Sequence, residues 1–171
     1  AIEHHAILHT GDWLRKQGFE VELLPVDAYG KVQPDILHNA LRPDTILVSV
    51  MLANNEIGTI QPIKELSAIA HTNGALFHTD AVQAVGHIPV DVEDLGVDLL
   101  SLSSHKFHGP RGVGALYVRH KTPLLPLIHG GGQERGRRSG TENVAGAVGM
   151  AAALQERIAA LDTNMPRLTA L

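Results

Sequence analysis

Three short apolar runs, Thr45–Val50, Ala75–Thr79 and Leu99–Leu102, do most to limit what this chain can fold into, because each gives way to polar residues at its carboxyl end. Between the first two, Pro62 opens a stretch in which Ile63, Leu66, Ile69 and Ala70 recur at helical spacing, and Asn73-Gly74 closes it. Strand, helix and strand in that order predict a right-handed crossover and a parallel sheet. The run Thr45–Val50 is almost continuously apolar, which predicts a strand buried on both faces. Gly112–Val118 reads as a further strand, reached from Leu102 by a connection of about ten residues, shorter than a parallel crossover needs. It is therefore expected to run antiparallel. The fold class that results is α/β, a three-layer αβα arrangement whose sheet is mainly parallel with one antiparallel strand.

The remaining segments follow from the same periodicities. Ile7, Leu8, Gly11 and Leu14 predict an amphipathic helix over Glu3–Gln17, closed by Gly18. Phe19–Leu24 reads as a strand, Pro34–Leu41 as a short helix and Thr122–Gln133 as loop. A long helix is expected over Glu142–Leu161, with Val144, Val148, Ala151, Ile158 and Leu161 on its buried face.

In an open parallel sheet, ligands bind in the crevice beyond the carboxyl ends of the strands. Those ends here carry Asn54-Asn55-Glu56, then Asp80 with Gln83, then Ser103-Ser104-His105-Lys106-Phe107. A lysine amine can add to an aldehyde to form an imine, and a carboxylate can pair with a pyridinium nitrogen. These are the two groups pyridoxal phosphate requires of its protein. Simpler uses compete with these readings: Asp80 could cap a helix starting near Ala81, Asn55 could form a turn before Gly58, and His4 could be a solvated residue at a helix start. His105 and His108 make half a metal site at most, with no cysteine or converging carboxylate to complete it, so no metal is expected. Gly130-Gly131-Gly132 lacks the Gly-Lys-Ser/Thr ending of a phosphate-binding loop.

Taken together, Glu3-His4, Met51–Gly58, His78–Gln83, Ser103–Gly112, His129–Gly136 and Arg138–Thr141 resemble the cysteine desulfurases of the class V aminotransferase family, which have the type I pyridoxal-phosphate enzyme fold. The resemblance covers nearly the whole chain. It implies that Lys106 holds pyridoxal 5'-phosphate as an imine and moves protons at the substrate α carbon. Asp80 would keep the ring nitrogen protonated, Gln83 would bond the phenolate oxygen, and His4 would stack on the ring and assist proton transfer. Asn55 would lie beside the ring, Ser103 and His105 would bind the phosphate, and Thr141 would reach that phosphate from the other subunit of a homodimer. The implied substrate is L-cysteine, converted to alanine, with a sulfur-acceptor or scaffold protein as partner in iron–sulfur cluster or thiolated-cofactor assembly. Asn54–Gly58 and Arg138–Thr141 favour a desulfurase over a selenocysteine lyase or another class V aminotransferase. A non-catalytic folding or dimerisation piece is the reading from another class.

Composition narrows the remaining classes. The 171 residues suit a single domain, with 44% hydrophobic and 19% charged residues. A formal net charge of −4 gives no electrostatic reason to expect nucleic acid. No apolar run approaches the roughly 18 residues that span a bilayer, and no signal peptide opens the chain, so no membrane association and a cytoplasmic location are expected. The chain has no cysteine, which excludes a disulfide framework and leaves the sulfur-accepting thiol of the resembled family to some other segment. Residues 1–171 are thus expected to be the central part of a cofactor-binding large domain, lacking the segment before it and the small C-terminal domain.

Overall fold

The computed structural model describes residues 2–169. Its elements are α1 (His5–Lys16), α2 (Pro34–Ala40), β1 (Leu47–Ser49), α3 (Ile63–Thr72), β2 (Leu76–Asp80), α4 (Val92–Leu95), β3 (Leu99–Ser103), β4 (Gly114–Val118), α5 (Val144–Ala159) and α6 (Leu161–Thr169). A one-turn 3-10 helix, Ser104–Phe107, follows β3 directly. The strands form one sheet in the order β1-β2-β3-β4. The first three run parallel and β4 runs antiparallel to β3, as the sequence predicts.

Period-two alternation gives the sheet two different faces. Val48, Phe77 and Leu100 lie within the main core, where α3 buries Ile63, Leu66 and Ala70 against them. The two largest fully buried side chains, Phe77 and Phe107, anchor β2 and the turn after β3; each contributes roughly 1.5–3 kcal/mol of burial. The opposite face carries Leu47, Leu76 and Leu99 toward one end and turns polar toward the carboxyl ends of the strands, with Ser49, His78, Asp80, Ser101 and Ser103. The buried Asp98 carboxylate joins two elements, accepting from the Phe77 amide and bonding the His71 ring, both at 2.8 Å.

Four expectations are corrected. Phe19–Leu24 forms no strand: Phe19 and Leu23 are exposed, and the Val21 carbonyl accepts from the Arg15 guanidinium instead of from a ladder. Alternation alone makes no strand when no neighbour is present to pair with it. The strand in Thr45–Val50 shortens to Leu47–Ser49 and lies at the sheet edge, with Ile46 and Leu47 exposed, so it is not buried on both faces. No helix starts at Ala81. Residues 81–88 instead make successive turns through bonds to the Ala81 and Ala84 carbonyls. Lastly, the stripe expected to bury α5 points outward: Val144, Val148 and Ile158 are exposed, while Gly146 is buried and Met150, Ala153 and Leu154 pack on the core. A Cβ on Gly146 would lie 2.5 Å from a Val113 methyl, so the glycine face is the one that can approach the sheet. Among the described residues, no helix is long and apolar enough to cross a membrane.

Candidate active site

The carboxyl ends of β2 and β3 build the centre of the site. Asp80 is the last residue of β2 and is buried, 6% exposed. Its Oδ1 accepts from the Val82 amide at 2.9 Å, a tight local turn that turns the chain where a helix cap was an alternative. Among the described residues no cation pairs with this carboxylate. Gln83, half-buried, follows in the next turn. In the neighbouring strand, Ser103 ends β3 and its hydroxyl bonds His105 Nδ1 at 2.9 Å, which leaves the imidazole Nε2 free of that contact. Lys106 is half-buried within the 3-10 turn, between the fully buried Ser104 and Phe107.

The glycine after this turn is a steric requirement. A Cβ on Gly109 would stand 2.1 Å from Ser104 Oγ and 3.1 Å from its carbonyl oxygen, and Gly109 itself donates to that carbonyl at 2.9 Å. Because Ser104 is fully buried it has little room to yield. Gly109→Ala is therefore expected to destabilise the chain by about 1–3 kcal/mol. A urea midpoint equal to that of the parent would show the turn to be more plastic than this packing implies.

The other expected residues are placed differently. His4 caps α1, accepting from the Ala6 amide at its Nδ1 (3.1 Å), and its ring is exposed. The turn at residues 54–58 is made by Asn54, not Asn55: Asn54 Oδ1 accepts from the Glu56 and Ile57 amides at 2.8 and 2.9 Å. Asn55 stands exposed beside it. Thr141 is exposed in the loop before α5 and shares no hydrogen bond with the other site residues described. The structure thus gathers Asp80, Ser103, His105 and Lys106 on two adjacent strand ends and brings the 54–58 turn to the end of the β1 segment, while Thr141 lies in the loop before α5.

Two groups beneath this rim escaped the sequence reading. His78 lies two residues before Asp80, on the same face of β2. Its Nδ1 bonds Ser49 Oγ and its Nε2 bonds Ser101 Oγ, each at 2.8 Å, so one imidazole spans β1, β2 and β3. Burial pushes its pKa below the usual imidazole range, against a smaller opposing pull from Asp80, which keeps the ring neutral at neutral pH. The period-two relation to Asp80 was the available signal. The second group is Glu3, whose Oε1 accepts from the Met51 amide at 2.8 Å while Oε2 is buried. Burial, reinforced by the nearby Asp80 charge, outweighs the Met51 bond and pushes this carboxyl up to about 7.

Residues 1–164 match the family described as aminotransferase class-V. The chain belongs to that family. This class-V aminotransferase chain is 61% identical over 164 residues to cysteine desulfurase IscS of Methanosarcina thermophila, a match covering 96% of the chain and 41% of that protein. A solved NifS-like protein superposes with a TM-score of 0.92 at 50% identity, over 95% of the chain and 45% of its own length. A structure of SspA in complex with cysteine does so with a TM-score of 0.87 at 44% identity, over 90% and 45%. The mixed sheet with its helices is accordingly the class-V aminotransferase fold. The chain spans less than half the length of each of these proteins.

Proposed function

We propose that the protein containing this chain converts L-cysteine to L-alanine with pyridoxal phosphate, passing the sulfur to a thiol as a persulfide for iron–sulfur cluster or thiolated-cofactor assembly. The observation that carries this reading is a buried carboxylate, Asp80, with no cationic partner among the described residues, ending the strand beside the one whose following turn bears Lys106. A desolvated carboxylate is stabilised by an adjacent positive charge, so the donor set fits a protonated ring nitrogen on one side and an amine-reactive aldehyde on the other. The similarity to cysteine desulfurases supports the choice of substrate.

When bound, pyridoxal phosphate supplies an aldehyde for the lysine amine and an electron sink for the α-carbon electrons. The chain's own residues divide the remaining work. Lys106 would hold the cofactor through its amine and would take and return the proton at the substrate α carbon. Asp80 would hold negative charge against the ring nitrogen, and Gln83 would offer an amide donor one turn away. Ser103 and His105, already bonded to each other, offer a hydroxyl and an imidazole to a phosphate group. His4 and Asn55, both exposed, would stand beside the ring. The reaction balances as cysteine plus a thiol giving alanine plus a persulfide, and the thiol comes from outside these 171 residues, which hold no cysteine. The finer reading is a homodimer in which Thr141, exposed in the loop before α5, would serve the neighbouring copy's site.

The test is product analysis of the full-length protein with pyridoxal phosphate, L-cysteine and a dithiol reductant. Alanine and sulfide in equal amounts are expected. Release of a keto acid in place of alanine, or turnover of selenocysteine alone, would replace this reading with another class-V reaction.

A further inference from the structure

The segment that carries His4 is tied to the rim by two hydrogen bonds that cross about fifty residues of sequence. Besides the bond from the Met51 amide to Glu3 Oε1, Asn54 Nδ2 donates to the Ile2 carbonyl at 2.7 Å. Packing alone holds this end of α1 weakly, because the helix fully buries none of its residues and Ile7 and Leu8 are only half-buried. Met51, by contrast, is fixed: it is 1% exposed, and its neighbours Val50 and Leu52 donate to the His78 and Asp80 carbonyls at 3.1 and 2.8 Å. A rigid path therefore runs from the Asp80 strand through Met51 and Asn54 to Glu3 and Ile2. Each clamping residue immediately precedes a site residue, Glu3 before His4 and Asn54 before Asn55.

We infer that Glu3 and Asn54 form a clamp of positioning residues, holding His4 and Asn55 in register with Asp80 while touching neither substrate nor cofactor. The inference rests on the proposed function for its catalytic consequence, though not for the clamp itself. Asn54 serves both sides, since its oxygen closes the 54–58 turn while its amide nitrogen binds the incoming segment. For Glu3 the working feature is an acceptor oxygen aimed at one buried amide. The high pKa of the carboxyl is consistent with this use, because a neutral acid still accepts that bond and avoids a second negative charge near Asp80.

The test uses the full-length protein with Glu3→Ala, Glu3→Gln, Asn54→Ala and the Glu3→Ala/Asn54→Ala double variant. Two readouts are taken: hydrogen exchange of the peptide spanning residues 2–8 without cofactor, and kcat and KM for cysteine with pyridoxal phosphate. Glu3→Ala is expected to speed exchange and lower kcat about tenfold or more with little change in KM, since misplacement by about 1 Å can cost up to ~100-fold. Glu3→Gln, which keeps the acceptor, should stay within about threefold of the parent. The double variant should be little worse than the worse single one, because both residues act through the same clamp. Unchanged exchange and kcat in Glu3→Ala would overturn the inference, as would a Glu3→Gln variant as impaired as Glu3→Ala. If the parent protein shows no desulfuration, the proposed function falls and exchange alone decides the clamp.

Discussion

Lys106→Ala in the full-length protein should abolish the visible imine absorbance with pyridoxal phosphate and lower cysteine turnover by at least about 10³-fold. Two contributions vanish with one side chain: the covalent anchor, and a proton-transfer group typically worth about 10²–10⁴-fold. The fold should survive. The turn that bears Lys106 is secured by Phe107 and Ser104, both fully buried, and Lys106 forms no ion pair among the described residues. Borohydride reduction followed by peptide mapping checks the assignment directly. A trapped adduct at another lysine, or absorbance surviving in the alanine variant, would remove Lys106 from its role.

Asp80→Asn should leave the imine intact but reduce turnover by about 10²–10³-fold, the usual cost of losing one preorganised electrostatic contact in a catalytic site. Asparagine can still accept the Val82 amide through its own Oδ1, so the tight turn after β2 is retained. What disappears is the buried negative charge. Steady-state kinetics beside a thermal melt separate the two effects. Turnover near that of the parent would show that the ring nitrogen needs no ionic partner here.

Legibility in the sequence followed a physical boundary. The parallel pairing of β1, β2 and β3 could be read because apolar runs and a helical stripe alternate, and the reversal at β4 because its connection is short. Asp80, Ser103, His105 and Lys106 could be read because strand ends converge whatever the loops do. Features that depend on a partner in space could not. Phe19–Leu24 has the alternation of a strand but no ladder neighbour, and Arg15 satisfies its Val21 carbonyl. Helix α5 carries two apolar faces, and the shorter side chains around Gly146 decided which one turned inward. Asn54 and Asn55 differ by one position, and only the fold shows that the first makes the turn. His78 looked like an ordinary strand residue until Ser49 and Ser101 were brought to either side of it.

The single turn after β3 has a mechanical consequence for the lysine it carries. Ser104 and Phe107 are sunk at both ends while His105 and Lys106 ride on the outer side, and His108 closes the turn with a left-handed backbone, φ 70°. The turn behaves as a pivot with two seated feet. If Lys106 carries the role proposed for it, exchange of one covalent partner for another would be absorbed by rotations along the lysine side chain, leaving the sheet underneath still.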